Sequence, residues 1–420
     1  MGLKELIAIS VGGMIGGGIF SVVGIAVRMS GHGTPVAFAL GGILAAVAGY
    51  SYVRLALCYQ SDGASFTYLE RAFPTRPMIG GVVGWVVVLG YIGTLGLYAF
   101  TFGAYGAELM GSSDDPGVRR MLSLAIIGLF GMINLLSSKS SGAAEDVIVY
   151  VKILLLGLLA VAGAGTVKAE LLTPVFDKGL GSVFLAGATI FVAYEGFQLV
   201  TNAVMETKNP DRNIPRSIFG SIAIVIMIYV GLSVVAIGSL PEADLIAAEE
   251  YALAVAAEPA LGHAGRILVA VAALLATSSA INATMFGASR LVAEMATTTD
   301  MPTAFSFRNR TDVPWLAVVV IMALAMCLTF LGSLEFIASF SSLTFMLVSF
   351  AVGIANLVLR KKTGARVPIV VLGNALLLVT IITLVFNLIR VSPGSLAVIG
   401  GIYAFAVVAD RLARKEGAVA

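Results

Sequence analysis

Two ionisable side chains sit where water should not reach them. Lys152 stands in Val149-Tyr-Val-Lys-Ile-Leu-Leu-Leu156, and Glu195 in Ile190-Phe-Val-Ala-Tyr-Glu-Gly-Phe-Gln198. A charge in so apolar a run costs about 2.5–3.5 kcal/mol on insertion scales when the run crosses a bilayer, and it marks a functional position by default. The chemistry open to the pair is proton uptake and release, or pairing with a charged ligand. A third stretch, Ser10-Val-Gly-Gly-Met-Ile-Gly-Gly-Gly-Ile-Phe20, has backbone in place of side chains, with five glycines between positions 12 and 18. Other chemistry is scarce. His32 and His263 lie far apart and show no metal-ligand spacing, while Cys58 and Cys327 sit in apolar runs with no disulfide framework. No clustered nucleophile and base stands at membrane depth, so no enzyme, metal or cofactor is expected.

The elements that carry these residues follow from composition. The chain is 59% hydrophobic and 12% charged, with a mean hydropathy of +0.99, far from the roughly 25% charge of soluble domains. With 26 basic against 24 acidic residues, the net charge of +2 excludes a nucleic-acid binder. A spanning helix needs about 20 apolar residues, and the runs predict twelve: 3–29, 34–58, 77–109, 119–137, 143–166, 181–205, 214–239, 263–297, 313–331, 335–360, 366–389 and 394–413. The runs 77–109 and 263–297 are overlong and predict tilt or protrusion. The first run lacks a cleavage site and is expected to be a retained helix. The basic residues gather on one side, among them Arg54, Lys139, Lys208, Arg212, Arg290, Arg360, Lys361, Lys362, Arg366, Arg411, Arg414 and Lys415, while the acidic stretch 240–262 reads as an outer loop. That bias predicts a cell-membrane protein with both termini cytoplasmic, a single domain over 1–420.

Two of the runs should not be continuous helices. Each helix-interior glycine costs roughly 1 kcal/mol relative to alanine. Close packing explains some glycines in a membrane helix, but three in a row at Gly16, Gly17 and Gly18 predict an unwound segment. The half-helix that follows would then offer N–H groups and its dipole to an anion. The Glu195-Gly196 pair predicts a second break, presenting carbonyls to a cation. Such backbone survives at membrane depth only where it lines protein or a cavity. The two broken runs open successive groups of five, and five being odd, the groups run in opposite senses. Paired breaks in inverted halves predict a secondary transporter, and N–H donors facing carbonyl acceptors suit a zwitterion, an amino acid or amine.

At these residues the chain resembles the amino acid–polyamine–organocation transporter family. The matching motifs are Gly13-Met-Ile-Gly-Gly-Gly-Ile-Phe20; Phe191-Val-Ala-Tyr-Glu-Gly-Phe197 with Glu206-Thr-Lys-Asn-Pro-Asp-Arg-Asn-Ile-Pro215; and Asn282, Ser289-Arg290, Met295-Ala296 and Asp300-Met-Pro302. The resemblance implies an all-α polytopic fold like that of the sodium-coupled leucine transporter. Repeat one would span about 3–166 and repeat two about 181–360, with helices 1 and 6 discontinuous and 366–413 additional. It implies that Ile15, Gly16, Gly17 and Gly18 hold the substrate carboxylate and that carbonyls of Phe191, Val192 and Ala193 hold the ammonium, with Phe191 and Tyr194 gating. Glu195 departs from the pattern, since relatives commonly carry an apolar residue there; an extra carboxylate favours a cationic side chain or second amine.

Lys152 has two readings. Its stem could snorkel to the nearby cytoplasmic surface. In proton-coupled members of similar pattern, a lysine here takes the place of the coupling ion, which implies partners in the carbonyls near Gly13 and the hydroxyls of Ser278 or Ser279. Glu195 is the competing proton carrier, or a carboxyl satisfied within the bundle. A proton moving down 100 mV supplies about 2.3 kcal/mol, enough to drive accumulation. The expected activity is proton-coupled amino acid symport by alternating access; an exchanger without net proton flow and a non-transporting sensor are the alternatives.

Overall fold

The computed structural model describes residues 1–60, 64–136, 142–298 and 301–417; Lys139 and Asp300 lie outside them. Among the described residues the regular structure is helical throughout, with no strand. The helices run α1 (Leu3–Met14), α2 (Gly18–Ser30), α3 (Thr34–Tyr59), α4 (Ala64–Ala72), α5 (Met78–Leu109), α6 (Pro116–Leu136), α7 (Gly142–Gly163) and α8 (Leu180–Thr189). After a stretch of 3₁₀ turns come α9 (Pro210–Ser239), α10 (Glu242–Ala247), α11 (Ala252–Thr297), α12 (Trp315–Leu331), α13 (Leu334–Val358), α14 (Arg360–Thr363), α15 (Val367–Val391) and α16 (Pro393–Gly417).

Among the described residues nine helices are long and apolar enough to cross a membrane, or ten if the bent pair beginning with α8 counts as one span. The sequence predicted twelve. The difference has physical causes. α2 runs into α3 as one apolar stretch, Gly18–Tyr59, and α12 has only 17 residues, about 26 Å at 1.5 Å per residue against a core near 30 Å. A second difference falls at 240–262, expected as loop. It folds into α10, a 3₁₀ turn at Glu249–Tyr251 and the first turns of α11. Glu242 and Asp244 lie in the first turn of α10, where acidic side chains favour a helix start. Gly262, at φ +64° and ψ −162°, then breaks α11, so the long span begins after it.

The outer helices show how this chain meets lipid. α7 leaves Val147, Tyr150, Val151, Leu154, Leu158 and Val161 exposed, a stripe at helical spacing, while Val149, Lys152, Leu156 and Leu159 on the opposite face are buried. α15 and α16 likewise expose Val371, Leu372, Ile382, Phe386, Phe405 and Val408. A water-soluble bundle would have these faces reversed. Inside this apolar belt α5 packs against α6, α11, α12 and α13, and α3 against α8 and α9. α1, α2 and 190–204 form the buried centre.

Candidate functional site

The first helix breaks at 15–17. Ile15 still donates its N–H to the Val11 carbonyl (2.7 Å) but has turned to φ −85° and ψ 57°. α2 restarts after Gly17 with no side-chain cap, so its first amides lack the partners that a continuing helix would give them. Glycine is needed here for space, since neither Gly16, Gly17 nor Gly18 has positive φ. A Cβ on Gly16 would come within 2.7 Å of the Ala280 Cβ, one on Gly17 within 2.6 Å of the Tyr98 ring, and one on Gly18 within 2.7 Å of the Ala193 Cα. Unwinding and close packing, alternatives at the level of sequence, therefore coexist.

The second break is sharper. α8 ends at Thr189, Phe191–Tyr194 form one 3₁₀ turn and Phe197–Ala203 a second, and the segment Phe191–Ala203 is bent by 52° from α8. Between them Glu195 is extended (φ −67°, ψ 136°) and Gly196 takes φ +128°, a conformation open to glycine and strained for other residues. Gly196 lies directly on the first helix, where a Cβ would be 2.4 Å from the Gly13 carbonyl carbon. Ser342 of α13 steadies the turn before it, donating its hydroxyl to the Thr189 carbonyl (2.6 Å) and accepting the Val192 N–H (2.9 Å).

One side chain ties the two breaks together, and another ties the first break to α11. The Tyr229 hydroxyl, from α9, lies 2.7 Å from the Met14 carbonyl and 3.1 Å from the Ala193 carbonyl. Lys152 is 2% exposed, and its Nζ donates to the Ile15 carbonyl at 3.3 Å and the Ala276 carbonyl of α11 at 3.4 Å. This geometry excludes snorkelling. The carbonyls it meets are two residues beyond Gly13 and two before Ser278. Phe191, Val192, Ala193 and Tyr194 are all buried at the crossing, but Tyr194 is directed at α3, where its hydroxyl donates to the Phe38 carbonyl (2.7 Å). Glu195 is 4% exposed; its Oε2 accepts from the Gln198 amide at 2.6 Å, and its Oε1 has no hydrogen-bond partner.

Several residues at the crossing have no signal in the sequence. Tyr229, Ser342 and Tyr105, whose hydroxyl donates to the Phe20 carbonyl (3.1 Å), are hydroxyls in apolar runs. Only the rule that a buried hydroxyl needs a partner could have flagged them. Sequence spacing also hid a grouping of His32, Asp177 and Glu242, whose donor atoms lie within 4.8 Å of one another. That grouping is already engaged in the protein's own contacts, since Lys178 donates to Glu242, the His32 backbone N–H donates to Asp177 (3.2 Å), and the His32 Nδ1 lies 3.3 Å from the Pro174 carbonyl. Nearby, Arg28 and Arg119 approach Glu249 at 3.8 and 3.7 Å, and Arg119 meets Glu250 at 3.2 Å. Burial pushes the Glu250 carboxyl above its ordinary value of 4.5, with the Glu249 charge adding to the push and the Arg119 charge opposing it.

The arrangement is backbone offered from two broken helices, with a buried cation and a buried carboxyl beside it. The chain is 32% identical over 391 residues to an uncharacterised protein of Methanocaldococcus jannaschii, covering 92% of this chain and 88% of the relative. It is 31% identical over 404 residues to an inner membrane transport protein of Escherichia coli, with 95% and 92% covered. It is 28% identical over 391 residues to the methylthioribose transporter of Bacillus subtilis, with 87% and 83% covered. The family model described as amino acid permease matches residues 1–409, and the chain belongs to that family, within the amino acid–polyamine–organocation transporters: it is a multi-pass membrane transporter and not an enzyme.

Proposed function

We propose that this protein is a secondary active amino acid transporter, coupled to protons and working by alternating access in the cell membrane with both termini cytoplasmic. In this reading the twelve predicted segments all cross, in an inverted five-plus-five repeat over 3–166 and 181–360 with 366–413 added. Amides of Gly16, Gly17 and Gly18 receive the substrate carboxylate, helped by the α2 dipole, with Ile15 completing the pocket. Carbonyls of Phe191, Val192 and Ala193 receive the ammonium, the last shared with Tyr229.

The observation that carries the coupling is the position of Lys152. A charged ammonium binds two carbonyls more tightly than a neutral amine does. Proton occupancy would thus decide whether α7, the first break and α11 are held as one body, and protonation from one side with release to the other couples the proton to the motion. Reconstituted in liposomes with an imposed pH gradient, the protein should accumulate amino acids, and a protonophore should collapse that accumulation. Lys152→Ala should abolish gradient-driven uptake while leaving measurable substrate binding by thermal shift. Undiminished proton-driven uptake by the variant would refute the role of Lys152. Trans-stimulated uptake that survives the protonophore, without proton movement, would establish an exchanger instead.

A further inference from the structure

Glu195 is placed by the protein and then left half satisfied. The Gln198 side chain is held by two contacts, its Oε1 accepting the Gly196 N–H at 2.9 Å and its Nε2 donating to Glu195 Oε2 at 2.6 Å. That arrangement fixes the carboxyl at the second break. Oε1 is buried with no hydrogen-bond partner, and among the described residues no basic side chain forms an ion pair with Glu195. Gly196, the next residue, lies directly on Gly13 of the first helix, so the carboxyl is carried where the two broken helices meet.

A buried carboxylate without a counter-ion is costly, and protonating it would not complete the site. The neutral acid would still have Oε1 unpaired, as donor or as acceptor, where buried polar groups ordinarily find partners. A guest that brings both positive charge and N–H donors removes both deficits. In the proposed function, on which this step rests, the α-carboxylate and α-ammonium of the substrate belong to backbone groups of the two breaks. The guest at Glu195 is then the far end of the substrate. We infer that Glu195 is the specificity-determining residue of a side-chain subsite, and that the substrate class is amino acids with a cationic side chain, ammonium or guanidinium.

The test uses the full chain in proteoliposomes with labelled lysine, ornithine and arginine against alanine, serine and leucine. The wild type should favour the cationic set, and Glu195→Gln should lower the cationic-to-neutral ratio of kcat/KM by about tenfold or more, mainly through KM. Glu195→Asp, which keeps the charge, should fall between the two, and size-exclusion profiles report whether each variant is folded. Wild-type uptake of neutral amino acids with no uptake of cationic ones overturns this inference and leaves the transporter standing. So does a Gln variant that is folded and slows both sets equally. If the wild type moves no amino acid and none raises its melting temperature, the proposed function falls together with the inference.

Discussion

At the scale of residues, the crossing depends on a few atoms that have no substitutes nearby. Tyr229→Phe removes a hydroxyl that meets both Met14 and Ala193. Leaving buried carbonyls unpaired costs about 1–3 kcal/mol, so the variant should melt several degrees lower and transport more slowly, measured by thermal shift and uptake in parallel. Gly196→Ala should be worse: at φ +128°, with the Gly13 carbonyl carbon 2.4 Å from the new methyl, it should abolish recovery of folded protein from the membrane. The sequence made the outstanding residues visible, because a lysine, a glutamate and three adjacent glycines are anomalies in apolar runs. It could not show their partners. A hydroxyl such as Tyr229 or Ser342 can bond to its own helix or to any neighbour, and only the fold decides which. Nor could it separate the two uses of glycine at 16–18, since torsion and close approach leave the same letters.

At the scale of elements, most helices were legible because hydrophobic runs bounded by charge and proline are a strong signal in membrane chains. α5 (Met78–Leu109) and α15 (Val367–Val391) fall within a few residues of the expected 77–109 and 366–389. The stretch 240–262 was missed because its acids read as loop, whereas here they open short helices that pack on α2. The turn between α10 and α11 contains Glu250, which is 5% exposed. Its carboxyl is raised by burial, so the folded protein binds its proton more tightly than the unfolded chain does. The stability this gives is present at acid pH and is lost as pH rises through the folded value. The melting temperature of the wild type should therefore fall relative to Glu250→Gln as pH is raised from about 4 to about 7. A constant difference across that range would show that Arg119 cancels the burial.

At the scale of the whole molecule, one seam between elements is tightly closed. A Cβ on Gly24 of α2 would meet the Glu249 carbonyl oxygen at 2.2 Å, and Arg28 and Arg119 close the same turn through Glu249 and Glu250. The proposed alternating access requires this seam to part once per cycle. In a background lacking Cys58 and Cys327, the pair Arg28→Cys and Glu249→Cys should be joined by a short bifunctional methanethiosulfonate cross-linker, stop uptake, and recover with reductant. Cross-linked protein that still transports would mean that the α2 seam stays closed throughout.

The position of Tyr229 also bears on timing. One oxygen, on a fully buried side chain, touches both interrupted helices. Neither half can therefore drift far while the other stays put. A fluorescent reporter on α2 and another on 197–203 should relax with a single shared rate after a substrate jump, and in Tyr229→Phe the two traces should come apart.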